Sequence, residues 1–221
     1  MNYQIIRNED GTYFYYKCKG KEKKGTIIFI HGFATNSLYH DPFIKHIIEE
    51  YDYIAIQLPG AGFQEWTKNK NPKVEDMVFY CVNLIRSMNL KKFILLGHSM
   101  GGGIAVRVAN IFKKEIECLI CSTPMNSRIS TFKIFNYFKF NPKTFKKAFK
   151  LVNTLYYDLM KTFNNDPEVI EKFVKDELEY QKKYRKFFIK LKKSMFSLKN
   201  RKICKVNENK EVVLGGEWWV I

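Results

Sequence analysis

Gly97-His98-Ser99-Met100-Gly101-Gly102-Gly103 constrains this chain more than any other stretch. It follows the apolar run Lys92-Phe93-Ile94-Leu95-Leu96 and precedes the helix-compatible run Ile104-Ala105-Val106-Arg107-Val108-Ala109. A strand, a Gly-x-Ser-x-Gly turn and a helix, in that order, make a sharp elbow that lifts a serine hydroxyl into a cleft. Gly97 and Gly101 suit it because a Cβ is expected to collide there and because glycine tolerates strained torsions. The turn also aims the Met100 backbone N–H, at a helix N-terminus, toward any oxyanion formed beside Ser99. The alternative is a glycine-rich turn whose serine only caps its helix.

Two further pieces lie upstream. Thr26-Ile27-Ile28-Phe29-Ile30 reads as a buried strand and runs into His31-Gly32-Phe33. Tyr53-Ile54-Ala55-Ile56 reads as another and runs through Gln57-Leu58 into the turn Pro59-Gly60-Ala61-Gly62. With these pieces in order, residues 10–124 resemble the α/β-hydrolases, in their esterase/lipase (monoacylglycerol-lipase-like) branch. The resemblance implies that Ser99 is the nucleophile and that the Phe33 and Met100 amides form an oxyanion hole. It implies that Gly32 lets the first loop approach the substrate, and that His31 is a structural histidine of that loop. His98, inside the elbow, is expected to shape the site with its side chain turned away from the hydroxyl. Gln57 stands where the family usually has an acid, a departure in a structural turn.

Strands alternate with helices through residue 124, which predicts a mostly parallel, doubly wound α/β sheet covered on both faces. Residues 36–50 are expected to form the helix after the His31 loop, and residues 74–88 the helix before the elbow strand. Ile116-Glu117-Cys118-Leu119-Ile120-Cys121-Ser122 reads as a sixth strand. The expected organisation is a first core segment at 1–124, a helical basic cap at 125–205 and a return strand of the core at 206–221. The last strand and helix of the fold are expected to be missing from this 221-residue chain. The full reading frame is expected to encode about 40–60 more residues, one further strand-and-helix increment.

The basic character belongs to the middle of the chain. Residues 125–205 hold 21 Lys and Arg against 7 Asp and Glu, so they account for most of the net +16. Phe132, Phe135, Tyr137, Phe138, Phe145 and Phe149 interleave with Lys133, Lys139, Lys143, Lys146, Lys147 and Lys150. One reading is a surface that meets anionic lipid headgroups. The other is a solvated lysine face with the phenylalanines as the cap's own core. Nucleic-acid binding has net charge alone in its favour and no recognition motif. The five cysteines are odd in number and mostly in apolar surroundings, and no signal-like segment opens the chain. These features predict reduced thiols and a cytoplasmic location. Cys118 and Cys121, three apart on a strand, are expected to face opposite ways, and the sequence names no cofactor or metal.

The proton machinery is the awkward part. A nucleophilic serine needs a base and an acid to orient that base. In the family the acid and then the base follow the serine, but His31, His40, His46 and His98 all precede Ser99. Glu217, after the run Glu211-Val212-Val213-Leu214-Gly215, is the carboxylate available for the acid. The expected function is a serine hydrolase cleaving a small acyl ester or lipid. The alternatives are a catalytically impaired remnant or binding module, and an iminopeptidase-type amidase on the same fold.

Overall fold

The computed structural model describes residues 4–7, 14–33, 44, 46–60, 72–125, 142–155, 159–163, 165–196 and 211–215. Seven strands form one sheet: β1 (Gln4–Arg7), β2 (Phe14–Cys18), β3 (Thr26–Ile30), β4 (Asp52–Ile56), β5 (Phe93–His98), β6 (Ile116–Ser122) and β7 (Glu211–Gly215). Their spatial order is β1-β2-β4-β3-β5-β6-β7. The five strands from β4 to β7 in that order run parallel, and the β1–β2 hairpin joins β4 antiparallel. From β3 the chain crosses to β4 on one side, then returns past β3 to β5 on the other. Such a reversal opens a crevice at the carboxyl ends of the two strands, where open α/β sheets hold their sites.

Side-chain alternation explains why both faces of the sheet are covered. Ile28, Ile30, Ile54, Ile56 and Leu95 point into one core with helices α1 (Val74–Ser87) and α2 (Met100–Ala109). Ile27, Phe29, Tyr53, Ala55 and Leu96 point into a second core, against Ile44, Ile47 and Ile48. Ile44, His46 and Ile47 are helical, and the rest of the expected 36–50 helix before Ile44 lies outside the described residues. α1 begins where the Asp76 carboxylate accepts the Lys73 N–H at 2.8 Å. It ends with Arg86 in its last turn, a charge that favours the helix C-terminus.

Between β6 and β7 lie α3 (Phe145–Leu155), α4 (Leu159–Thr162), α5 (Pro167–Lys183) and α6 (Arg185–Phe196). α5 starts on Asp166, whose carboxylate accepts the Glu168 and Val169 N–H groups at 3.0 and 3.2 Å. These helices own a small core of Ala148, Val152, Ile170, Val174 and Leu178. Phe145 and Phe149 are not part of it, so the described pair does not form the cap interior. Phe132, Phe135, Tyr137, Phe138, Lys133 and Lys139 lie outside the described residues.

α5 and α6 also grip the core of the fold. Phe188 meets Phe33 edge-on at 5.2 Å, and the Phe187 ring occupies the space a Cβ on Gly60 would take. Gly60 has φ +77°, a torsion that favours glycine. The Tyr180 hydroxyl donates to the Gly60 carbonyl at 3.5 Å, and the buried Val74 N–H donates to Ser194 Oγ at 2.9 Å.

Candidate active site

Ser99 links the end of β5 to the start of α2 with φ 53° and ψ −118°. A non-glycine residue held there costs about 1–3 kcal/mol, so its surroundings must over-determine it. They do so through the backbone. The Ser99 N–H donates to the Ser122 carbonyl at 2.9 Å, and its carbonyl accepts from Gly102, Gly103 and Met125 at 3.0, 3.2 and 2.8 Å. The end of β6 and the residues just after it therefore stitch the elbow in place, a role of Ser122 and Met125 that local pattern does not announce.

Close backbone approach accounts for the glycines. An added Cβ on Gly97 would lie 2.5 Å from the Gly101 carbonyl oxygen. One on Gly101 would run into the Ile30 carbonyl at the end of β3. One on Gly32 would lie 3.3 Å from Ser99 Cβ and 3.2 Å from His98 Nδ1. The loop after β3 thus passes directly beside the serine. Met100 is the first residue of α2, and its N–H is among those that have no acceptor within the helix.

His31 ties this loop to its neighbour. It is 1% exposed; its Nδ1 lies 2.8 Å from the Gly32 carbonyl, and its Nε2 accepts the Leu58 N–H at 3.1 Å. With Nε2 accepting, Nδ1 carries the proton and donates to Gly32. Burial, partly offset by that bond, lowers its pKa to about 4. Burial also lowers the pKa of His98. His46 is exposed on the opposite core, and His40 lies outside the described residues.

Cys121 pairs with Gly97 across β5 and β6, and burial, with Cys118 nearby, pushes its pKa up to about 12. Burial raises the Cys81 thiol further. Cys18, Cys81, Cys118 and Cys121 are thiols and not disulfides, and Cys204 lies outside the described residues. Among the described residues no group of His, Cys, Asp and Glu is arranged to hold a metal ion, and no helix is long and apolar enough to cross a membrane.

β7 pairs parallel to β6, with Gly215 opposite Ser122 and Ser122 opposite His98. The chain therefore leaves β7 at the same edge of the sheet as the elbow. Glu217, two residues on, lies outside the described residues.

Ser99→Gly tests whether the serine is strained. It should raise stability by about 1 kcal/mol, the strain relieved minus the extra freedom of an unfolded glycine. Ser99→Ala keeps the Cβ and should gain nothing. Urea midpoints read the difference; a glycine variant less stable than wild type would contradict the strain.

A family model described as the alpha/beta hydrolase fold matches residues 25–188. "Putative esterase/lipase 2" of Mycoplasma pneumoniae is 32% identical over 109 residues, 49% of this chain and 41% of the relative. "Putative esterase/lipase 3" of the same organism is 31% identical over 131 residues, 59% of this chain and 44% of the relative. The matched stretch spans less than half the length of these relatives. Among solved structures, the 2-hydroxy-6-oxo-6-phenylhexa-2,4-dienoate hydrolase from Rhodococcus sp. strain RHA1 superposes with a TM-score of 0.76 at 18% identity, covering 96% of this chain and 81% of that one. A bacterial membrane phospholipase A superposes with a TM-score of 0.69 at 17% identity, covering 87% and 63%. The crossover at β3, the glycine-lined elbow after β5 and the match over residues 25–188 agree: this chain belongs to the α/β-hydrolase family.

Proposed function

We propose that this chain carries the nucleophile and oxyanion hole of a serine hydrolase that cleaves small acyl esters or lipid esters. The strained Ser99, set 3.3 Å from the space a Gly32 Cβ would fill, is the observation that supports it most. In this reading Ser99 Oγ attacks the acyl carbonyl while its proton passes to a base. The carbonyl oxygen becomes an oxyanion between the Phe33 and Met100 N–H groups, both fixed before reaction begins. Collapse of that intermediate expels the alcohol, which takes the proton, and leaves the acyl group on Ser99. Water then releases the acid and restores the hydroxyl.

The surrounding residues divide the work. His31 has both ring nitrogens engaged, so it holds the oxyanion loop and is unsuited to take the Ser99 proton. Gly97, Gly101 and Gly32 let backbone and substrate approach, and His98 walls the elbow. A histidine base, which the family resemblance implies, would accept the proton, oriented by Glu217 beyond β7. The esterase/lipase names of the relatives favour an ester over other acyl compounds.

Hydrolysis of p-nitrophenyl butyrate by the full chain and by Ser99→Ala tests the reading. Turnover that disappears in the variant is expected. Equal rates in the two proteins would leave the elbow as architecture in a binding module. Faster cleavage of a proline p-nitroanilide than of the ester would move the assignment to an amidase.

A further inference from the structure

The helices between β6 and β7 carry their charge unevenly. α5 holds Lys172, Lys175, Lys182 and Lys183 against Glu168, Glu171, Asp176, Glu177 and Glu179, so its charges nearly cancel. Lys175 lies 2.6 Å from Glu171 within that helix. Residues 142–155, by contrast, hold Lys143, Lys146, Lys147 and Lys150 and no acid. The excess is local to α3 and its lead-in.

α3 also divides its faces in an unusual way. Ala148 and Val152, one turn apart, are buried against α5. Phe145 and Phe149, also one turn apart, occupy the adjoining stripe. Their ring centroids are 6.4 Å apart, and the residues remain 39% and 41% exposed. Lys146 and Lys150 form the next stripe around the helix, both exposed. A helix facing only water gains nothing by leaving about two-fifths of two adjacent phenylalanines in solvent, because that part gives up the free energy of burial. An apolar stripe bordered by lysines, with no carboxylate beside it on the helix, matches a surface that is apolar below and anionic above.

We propose that α3 docks this chain on an anionic lipid surface. Phe145 and Phe149 enter the boundary between headgroups and acyl chains, and Lys143, Lys146 and Lys150 meet the lipid phosphates. Two rings and three charges give a reversible, salt-sensitive contact rather than a permanent anchor. The contact needs no chemistry at Ser99. A chain that binds vesicles without turning over esters overturns the hydrolase reading and leaves this one standing.

The test is flotation of the full chain with lipid vesicles. At low salt it should bind phosphatidylglycerol vesicles and not pure phosphatidylcholine, and high salt should release it. Replacing Lys143, Lys146 and Lys150 together by Ser should weaken binding roughly 100-fold. Phe145→Ser with Phe149→Ser should weaken it on the order of 10-fold. Replacing Lys91, Lys92 and Lys113 by Ser changes the net charge equally, at exposed positions outside α3, and should leave binding within about twofold. All the substituted side chains are exposed, and circular dichroism checks that each variant folds. Equal binding to both lipids, or binding undiminished by either α3 variant, overturns the proposal. So does capture of an oligonucleotide with no vesicle binding.

Discussion

Gly101→Ala should destabilise the chain by about 3 kcal/mol or more, a large loss for a single methyl group. The new Cβ would meet the carbonyls of Ile30 and His31, and both are backbone atoms at the end of a central strand. A side chain could rotate away; β3 cannot, because β4 and β5 hold it on both sides. The strain must therefore push α2 off the sheet. That helix buries Met100, Ile104, Ala105 and Val108 in the larger core, so the push opens well-packed contacts along its length. Gly25→Ala is the matched control. Its Cβ would sit 3.7 Å from the Tyr51 ring, an ordinary contact, and the change should be near neutral. Urea midpoints for the two variants measure the contrast, and a Gly101→Ala loss below about 1 kcal/mol would mean the approach of α2 to β3 is looser than described. The same close approach brings the first turn of α2 against the end of β3, where the His31 loop begins. Fold stability and the proposed oxyanion hole therefore depend on one missing Cβ.

The parts of this architecture that the sequence announces are those governed by local pattern. Residues 27–30 are continuously apolar because β3 is buried on both faces, and such a run is visible without a structure. The helix expected at 74–88 appears as Val74–Ser87 because its apolar residues repeat at helical spacing and its carboxylates sit in the first turn. The elbow shows because three constraints coincide within a few residues: a strand end, glycines where backbones touch, and a helix start. The β1–β2 hairpin was not legible. Gln4, Ile5 and Arg7 are exposed at the sheet edge, so no apolar alternation marks them. The seam that α5 and α6 make with the core was hidden for another reason. Val74 to Ser194 and Gly60 to Tyr180 are each 120 residues apart, and nothing in either segment names its partner. Phe187 and Phe188 stand out as aromatic, but only the fold shows that one fills the space over Gly60 and the other braces Phe33. The phenylalanines of the basic segment show the limit of composition. Phe145 and Phe149 read as the cap's core or as a surface until packing places Ala148 and Val152 inside instead.

His31→Gln should cost about 2 kcal/mol near neutral pH, and that cost should shrink in acid. A glutamine amide can still accept the Leu58 N–H, but it cannot at the same time reach the Gly32 carbonyl, so the His31–Gly32 bond is lost in a buried setting. The pH dependence follows from proton binding. His31 has a pKa of about 4 in the folded chain, below the ordinary histidine value of 6.5. Between those values the unfolded chain binds the proton and the folded chain does not. The stability that neutral His31 contributes is therefore complete above about pH 6.5 and is lost as pH falls toward about 4. The separation corresponds to about 3 kcal/mol across that window. Burial lowers His98 as well, so it works in the same direction. Glutamine does not titrate, and the variant escapes the His31 share of this loss. Urea midpoints of wild type and His31→Gln, compared at about pH 7 and about pH 4.5, should therefore converge in acid. A gap that stays constant across the window would mean that His31 takes up its proton in the fold. Its Nε2 could then no longer accept from Leu58. The loops after β3 and β4 would then lose the bond that sets them side by side.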